Sequence, residues 1–353
     1  MKLTELSEGL KSSQVALVVS EENRRYLTGF DASNGYLLVS RNGSSFLTDG
    51  RYIEDARRVV TDAEVLLQNN LYQQLNQLVK RFGCTEILVE SSRMSIQDLN
   101  HYRHQMTAFT FNVSSRLDLL ISSLREVKTE REVELLQKAQ DIASRAFLET
   151  LPLIKPGVRE RDVANELDYR MRRLGADGIS FDTIVVSGEN SSKPHGVPGE
   201  KCIETGEFVT IDFGALYQGY HSDTTRTVAV GQPSEEMAQV YEAVLRAQKK
   251  GCAALRPGLT VVEYDGVARD SLKEDGWADY FTHSLGHGVG VEIHEQPFCG
   301  PRGTGILQAG NVVSCEPGVY LEGRFGVRIE DTLLVTPEGA RNFCDLPKEL
   351  TVL

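Results

Sequence analysis

The chain has 353 residues, 41% of them apolar and 25% charged, which is ordinary globular composition with enough material for two domains. A formal net charge of −12 argues against a nucleic-acid partner, because that binding is driven by Lys and Arg neutralising phosphates. The six scattered cysteines (Cys84, Cys202, Cys252, Cys299, Cys315, Cys344) contain no C-x-x-C pair, the opening MKLTELSEGLKSS has no apolar signal core, and no apolar run approaches the ~20 residues that span a bilayer, so the expectation is a cytoplasmic protein with reduced thiols and no membrane partner.

Residues 14–120 alternate short β-type runs with helical ones. QVALVV (14–19), GYLLVS (35–40) and TEILVE (85–90) predict strands; DGRYIEDARRVV (49–60) and LYQQLNQLVKRFG (71–83, stopped at Gly83) predict helices. This is an α/β domain, placed at residues 1–124. Thr129-Glu-Arg-Glu132 then fits a capping box, and Val133, Leu135, Leu136, Ala139 and Ala143 follow on one helical face, opening a second domain at 125–353.

The second domain repeats itself. Ile154-Lys-Pro-Gly-Val158 recurs as Leu255-Arg-Pro-Gly-Leu259, 101 residues on (Pro156 to Pro257), each between two helical patterns. Each half continues into a pair of β-type runs, 208–216 with 222–230 and 312–321 with 326–335, and every run carries an acid. Asp212 to Glu316 is 104 residues and Asp223 to Glu330 is 107, close to the proline offset. Two related α/β halves, each giving two carboxylates, follow from this spacing.

An acid on an otherwise apolar strand points at a core, and a buried carboxylate is costly unless paired or on a metal. Four together repel strongly without cations. HSLGHGVGVEIHEQP (283–297) supplies an imidazole, and its Gly286, Gly288 and Gly290 permit close backbone approach. Four carboxylates balance two divalent ions, and mostly oxygen ligation with one imidazole suits Mn²⁺, with Co²⁺, Fe²⁺ or Zn²⁺ as alternatives. Such a pair activates water and polarises a carbonyl, which makes a hydrolase the leading class ahead of a structural metal site.

IDFG (211–214), HSD (221–223), SLGHGVG (284–290), EIHEQP (292–297), SCEPGVY (314–320) and GVRIED (326–331) resemble the proline-peptidase branch of the pita-bread metallopeptidases, the Xaa-Pro dipeptidases (prolidases) and aminopeptidase P. NRRYLTGF (23–30) and FLTDGRY (46–52) are similar to the smaller N-terminal domain of those enzymes, so the resemblance covers nearly the whole chain. It implies a creatinase-like α/β domain followed by a pita-bread domain with pseudo-twofold related halves, a homodimer, and an N-terminal domain serving dimerisation and substrate access. It implies metal ligands at Asp212, Asp223, His287, Glu316 and Glu330, with Glu316 also the general base that takes a proton from the metal-bridging water. His195 is implied to hold substrate, His294 to donate to the carbonyl oxygen, and His283 to shape the pocket. The implied reaction is hydrolysis of Xaa-Pro bonds in small proline-containing peptides.

Arg328, two residues before Glu330, is expected on the same strand face, orienting the carboxylates from behind. Tyr320 either reaches the site with its hydroxyl or packs on the core. Glu292 and Glu295 read as solvated acids, and His101 and His104 as exposed histidines on a helix. Dipeptidase and aminopeptidase selectivity both stay open: some prolidases carry an arginine after the H-E-x-P segment, and here that place holds Phe298. The rivals are a related hydrolase of the same fold without proline specificity and, of a different class, a non-catalytic peptide-binding module of that fold, whose members lose ligands that this chain keeps. The kinase-like DFG at 212–214 lacks its companion motifs.

Overall fold

The alternating runs of the first 120 residues build one mixed sheet. In the computed structural model, which describes residues 2–353, the chain divides into two compact units, Met1–Arg125 and Glu126–Leu353. The sheet of the first unit runs in the order Glu64–Leu67, Gly43–Thr48, Tyr36–Ser40, Gln14–Val18, Glu86–Val89, Thr110–Asn112. Gln14–Val18 is buried throughout and lies antiparallel to Tyr36–Ser40 and parallel to Glu86–Val89. The Leu71–Arg81 helix ends before Gly83, whose φ of 70° suits a residue without Cβ. Helices Lys2–Glu8 and Glu21–Thr28 and the edge strand Glu64–Leu67 had given no sequence signal; all three are short.

The second unit opens with the capping box: the Thr129 side chain accepts from the Glu132 amide, the Glu132 carboxylate returns to the Thr129 amide, and the helix runs Glu130–Thr150. That helix and Glu160–Arg173 cover one face of an antiparallel sheet formed by Ile184–Ser187, Glu207–Phe213 and Thr224–Val230. Side chains alternate along Glu207–Phe213: Val209, Ile211 and Phe213 join the helices, with Phe213 stacked on Phe147 at 5.1 Å. Asp212 therefore takes the opposite face, directly across from Thr225.

The second half pairs helices Glu235–Ala254 and Val261–Glu274 with a sheet ordered Glu295–Cys299, Gly286–Gly288, Val312–Cys315, Asp331–Thr336, Gly339–Asn342. The repeat is visible in its turns. Gly157 (φ 88°) donates to Ile203 O, and Gly258 (φ 85°) to Leu307 O; Arg159 bridges Cys202 as Thr260 bridges Ile306. The turns are 101 residues apart and their docking points 104, the same offset that separates Asp212 from Glu316.

The long strands expected in the second half are broken. Val312–Cys315 stops before Glu316-Pro317 and resumes as Gly318–Leu321; Phe325–Arg328 stops before Ile329-Glu330 and the chain re-enters the sheet at Asp331–Thr336. Pro317 has no N–H to give a ladder, which accounts for the first break. Glu316 and Glu330 consequently sit between strands, where their amides bond instead to Leu285 O at 2.9 Å and Thr225 O at 3.1 Å.

Candidate active site

All five residues proposed as ligands meet at the floor of one cavity of ≈ 540 Å³, together with His195, His283, His294 and Arg328. Ligand atoms of Asp223, His287 and Glu330 lie within 4.8 Å of one another. His287 Nε2 is 3.5 Å from Asp223 Oδ2 and 3.3 Å from Glu316 Oε1. The other ring nitrogen, Nδ1, lies 3.1 Å from Gly288 O, so with its proton there Nε2 is left facing the acids. The glycines act as their spacing suggested: a Cβ on Gly286 would strike Ser314 O, and one on Gly288 would strike Gln296 O, so only bare backbone lets the His287 strand fit between its neighbours.

The acids are held by hydroxyls and one guanidinium. Thr225 Oγ1 donates to Glu330 Oε2 at 2.7 Å, and Ser314 Oγ donates to Glu316 Oε1 at 3.1 Å. Arg328 Nη2 donates to Asp212 Oδ2 at 2.7 Å, and its Nε to Thr225 Oγ1 at 3.1 Å. Arg328 Nη1 also donates to the Tyr320 hydroxyl at 2.8 Å, which stands 2.9 Å from His283 Nε2. The Tyr320 phenol thus links Arg328 to the pocket wall. Neither Thr225 nor Ser314 was singled out from sequence; each lies two residues from a proposed ligand, and that proximity was the available signal.

Burial and mutual repulsion push Asp223 and Glu330 well above the usual carboxylate range, and burial also raises Asp212 against the pull of Arg328. Glu316 goes the other way: burial opposes its charge, but the hydrogen bond and charge of His287 win and bring it to about 2. His287 is correspondingly raised to about 9, Glu316 and Asp223 outweighing its desolvation. Burial lowers His283 and His294, and the charge of His287 adds to the shift of His294. Asp212 Oδ1 is buried without a hydrogen-bond partner. An orphaned carboxylate oxygen beside three further acids and an imidazole is the donor chemistry of a divalent cation site, so the donor set fits divalent metal.

His294 stands exposed with its ring 4.3 Å from that of His287, and His195 is exposed at the rim. The apolar walls include Phe181, Ile184, Val197, Ile293 and Phe298. Val197 is 84% exposed and Phe298 45%, so the cavity walls present apolar surface to whatever enters. Glu295 is not a solvated acid: Lys128 Nζ meets its Oε1 at 2.7 Å, with the two side chains 1% and 6% exposed. His101 and His104 are exposed on the Ile96–Gln105 helix.

Residues 134–337 match the model of metallopeptidase family M24, and residues 4–127 that of the creatinase/prolidase N-terminal domain. The chain belongs to metallopeptidase family M24. It is 42% identical to an uncharacterized peptidase of Bacillus subtilis (strain 168) over 343 residues, 96% of this chain and 95% of the relative. An Xaa-Pro dipeptidase structure from Bacillus anthracis superposes with a TM-score of 0.96 at 40% identity, covering 100% of this chain and 99% of that one. An X-Pro aminopeptidase structure from Thermotoga maritima gives a TM-score of 0.92 at 36% identity, covering 98% and 99%. The fold of this M24 metallopeptidase is thus the creatinase-type N-terminal domain followed by the pita-bread domain. Among the described residues no helix is long and apolar enough to cross a membrane.

Proposed function

We propose that this metallopeptidase hydrolyses Xaa-Pro bonds at the N-terminus of small peptides. The observation that carries the proposal is the convergence of Asp212, Asp223, His287, Glu316 and Glu330 beneath a cavity whose upper walls hold His195, His294 and a run of apolar side chains. The naming of similar structures as Xaa-Pro dipeptidase and X-Pro aminopeptidase supports it. Two divalent ions, Mn²⁺ first among the candidates, held by those five residues would supply Lewis-acid polarisation of the scissile carbonyl and a water of lowered pKa.

The side chains divide the remaining work. Glu316, with Oε1 fixed by Ser314, takes a proton from the attacking water and delivers it to the leaving proline nitrogen. His294 donates to the carbonyl oxygen as negative charge gathers there, and His195 steadies the substrate at the rim. His283 stays neutral and is fixed by the Tyr320 hydroxyl on one nitrogen and Ser284 O on the other, each 2.9 Å away. The scissile proline nitrogen has no N–H, and apolar walls ask for none. The reading also includes a homodimer assembled through residues 1–124, acting in the cytoplasm.

Phe298 favours substrates that continue beyond proline, since an apolar side chain gives a dipeptide carboxylate no counter-charge. The test is product analysis by mass spectrometry on an equimolar mix of Leu-Pro and Leu-Pro-Gly-Gly, with Mn²⁺-loaded protein and an EDTA-stripped control. Release of Pro-Gly-Gly assigns aminopeptidase selectivity, and cutting of Leu-Pro alone assigns a dipeptidase. If metal-loaded protein leaves both intact, the proline reading is wrong.

A further inference from the structure

Behind the carboxylates lies a second buried charge network that the proposed reaction does not use. Arg226, 2% exposed, lies next to Thr225 and has an acceptor for each of its five N–H groups. Nη1 donates to Glu330 O at 2.6 Å and Thr225 O at 2.9 Å. Nη2 donates to Asp331 Oδ1 at 2.8 Å and Leu346 O at 2.9 Å, and Nε to Pro347 O at 2.9 Å. Asp331, fully buried, also takes Gln248 Nε2 at 2.9 Å, Asn342 Nδ2 at 2.8 Å and Lys348 Nζ at 2.5 Å.

The consequence falls on Glu330. It sits in a gap between strands, so no ladder fixes it. Its amide bonds to Thr225 O, its carbonyl takes Arg226, and its carboxylate takes the Thr225 hydroxyl. Its amide, its carbonyl and one carboxylate oxygen are thus set by the Thr225-Arg226 pair. Arg226 in turn is set by Asp331 and by the segment Cys344–Pro347, which lines no part of the cavity. We propose that Arg226, locked by Asp331 and by this segment, is a positioning residue of the metal centre: it presets the backbone of Glu330 and thereby the affinity for the ions. The proposal rests on the reading of Glu330 as a ligand. A metal bound by a carboxylate that must first be ordered is bound more weakly, and loss of such supporting contacts costs roughly 10- to 100-fold in affinity.

Titration calorimetry of metal-free protein with Mn²⁺, beside its melting midpoint without metal, tests this. Arg226→Lys keeps the charge but loses the planar fork; Lys348→Met removes one support of Asp331 from a partly exposed position. The Mn²⁺ Kd is expected to rise about 10- to 100-fold in Arg226→Lys, and toward the lower end of that range in Lys348→Met. Lys249→Met, which loses only a surface pair with Glu349, is the control and should bind as the wild type does. Wild-type Kd in both folded variants, with only the melting midpoint lowered, overturns the proposal and leaves the network structural. If Arg226→Lys does not fold, Lys348→Met decides alone. Wild-type protein that takes up no Mn²⁺ overturns the metal reading itself, and this inference with it.

Discussion

Glu316 is proposed to carry two burdens, a metal ligand's and a base's, and its surroundings fit both. The low proton affinity imposed by His287 keeps it ionised, and Ser314 fixes one oxygen. Glu316→Gln preserves volume and removes the proton acceptor, so kcat on Leu-Pro-Gly-Gly should fall by about 10²- to 10⁴-fold. Metal content of the same sample by mass spectrometry separates the roles: full activity sinks the base assignment, and loss of metal in step with activity makes Glu316 a ligand first. The neighbouring acids predict a pH effect of definite sign. Asp212, Asp223 and Glu330 have folded pKa values raised above the unfolded ~4. Their contribution to the stability of metal-free protein is therefore full below pH ~4 and is lost as pH rises through the raised values. Glu316, depressed to about 2, has the opposite sign: its contribution is present above the unfolded ~4.5 and is lost progressively as pH falls toward 2. Divalent ions held by these acids would take the place of the protons. The rise in melting midpoint on adding Mn²⁺ should thus be larger at pH 8 than at pH 5.5; the reverse order in calorimetric scans would contradict a carboxylate metal site.

At the scale of elements, the segment carrying His294 depends on a contact no local pattern announces. Lys128 and Glu295 are 167 residues apart, and both charges are removed from water. Gly290 makes room, since a Cβ there would strike the Glu295 carboxylate. Breaking a buried pair from one side strands the other charge, so Lys128→Met should destabilise the protein by about 3–5 kcal/mol. Adding Glu295→Gln should recover most of that loss in urea denaturation. A double variant no more stable than the single would mean that packing of the lysine stem, not charge, holds the segment. The same pair shows where sequence reading stops. A capping box is legible because its partners are three residues apart, and the acids are legible because their spacing repeats. Glu295 looked solvated because its partner lies across the fold. Arg328 was expected to orient the carboxylates from the strand face it shares with Glu330; the strand stops before Glu330, and the carboxylate that the guanidinium meets is that of Asp212. Periodicity locates a residue only as far as the strand continues.

The whole molecule separates scaffold from chemistry along the chain. Every proposed ligand, every cavity-lining residue, the Lys128–Glu295 pair and the Arg226–Asp331 network belong to Glu126–Leu353. That unit has two apolar cores of its own, one under each pair of helices, and its size is well above what a self-sufficient core requires. Its two halves each bring a Pro-Gly turn docked in the same way and a pair of acids, so the proposed metal centre lies where the repeats meet and would need both. Residues 126–353 expressed alone should therefore fold and bind Mn²⁺ with the affinity of the full chain, while neither half of that unit should do so. Circular dichroism and titration calorimetry on the fragment check this. A fragment that folds but takes up no metal would show that residues 1–125 complete the centre; an unfolded fragment would show that they complete the fold. If the fragment binds metal yet fails to cut Leu-Pro-Gly-Gly, the first 125 residues act on the substrate rather than on the ions, the role the resemblance gave them.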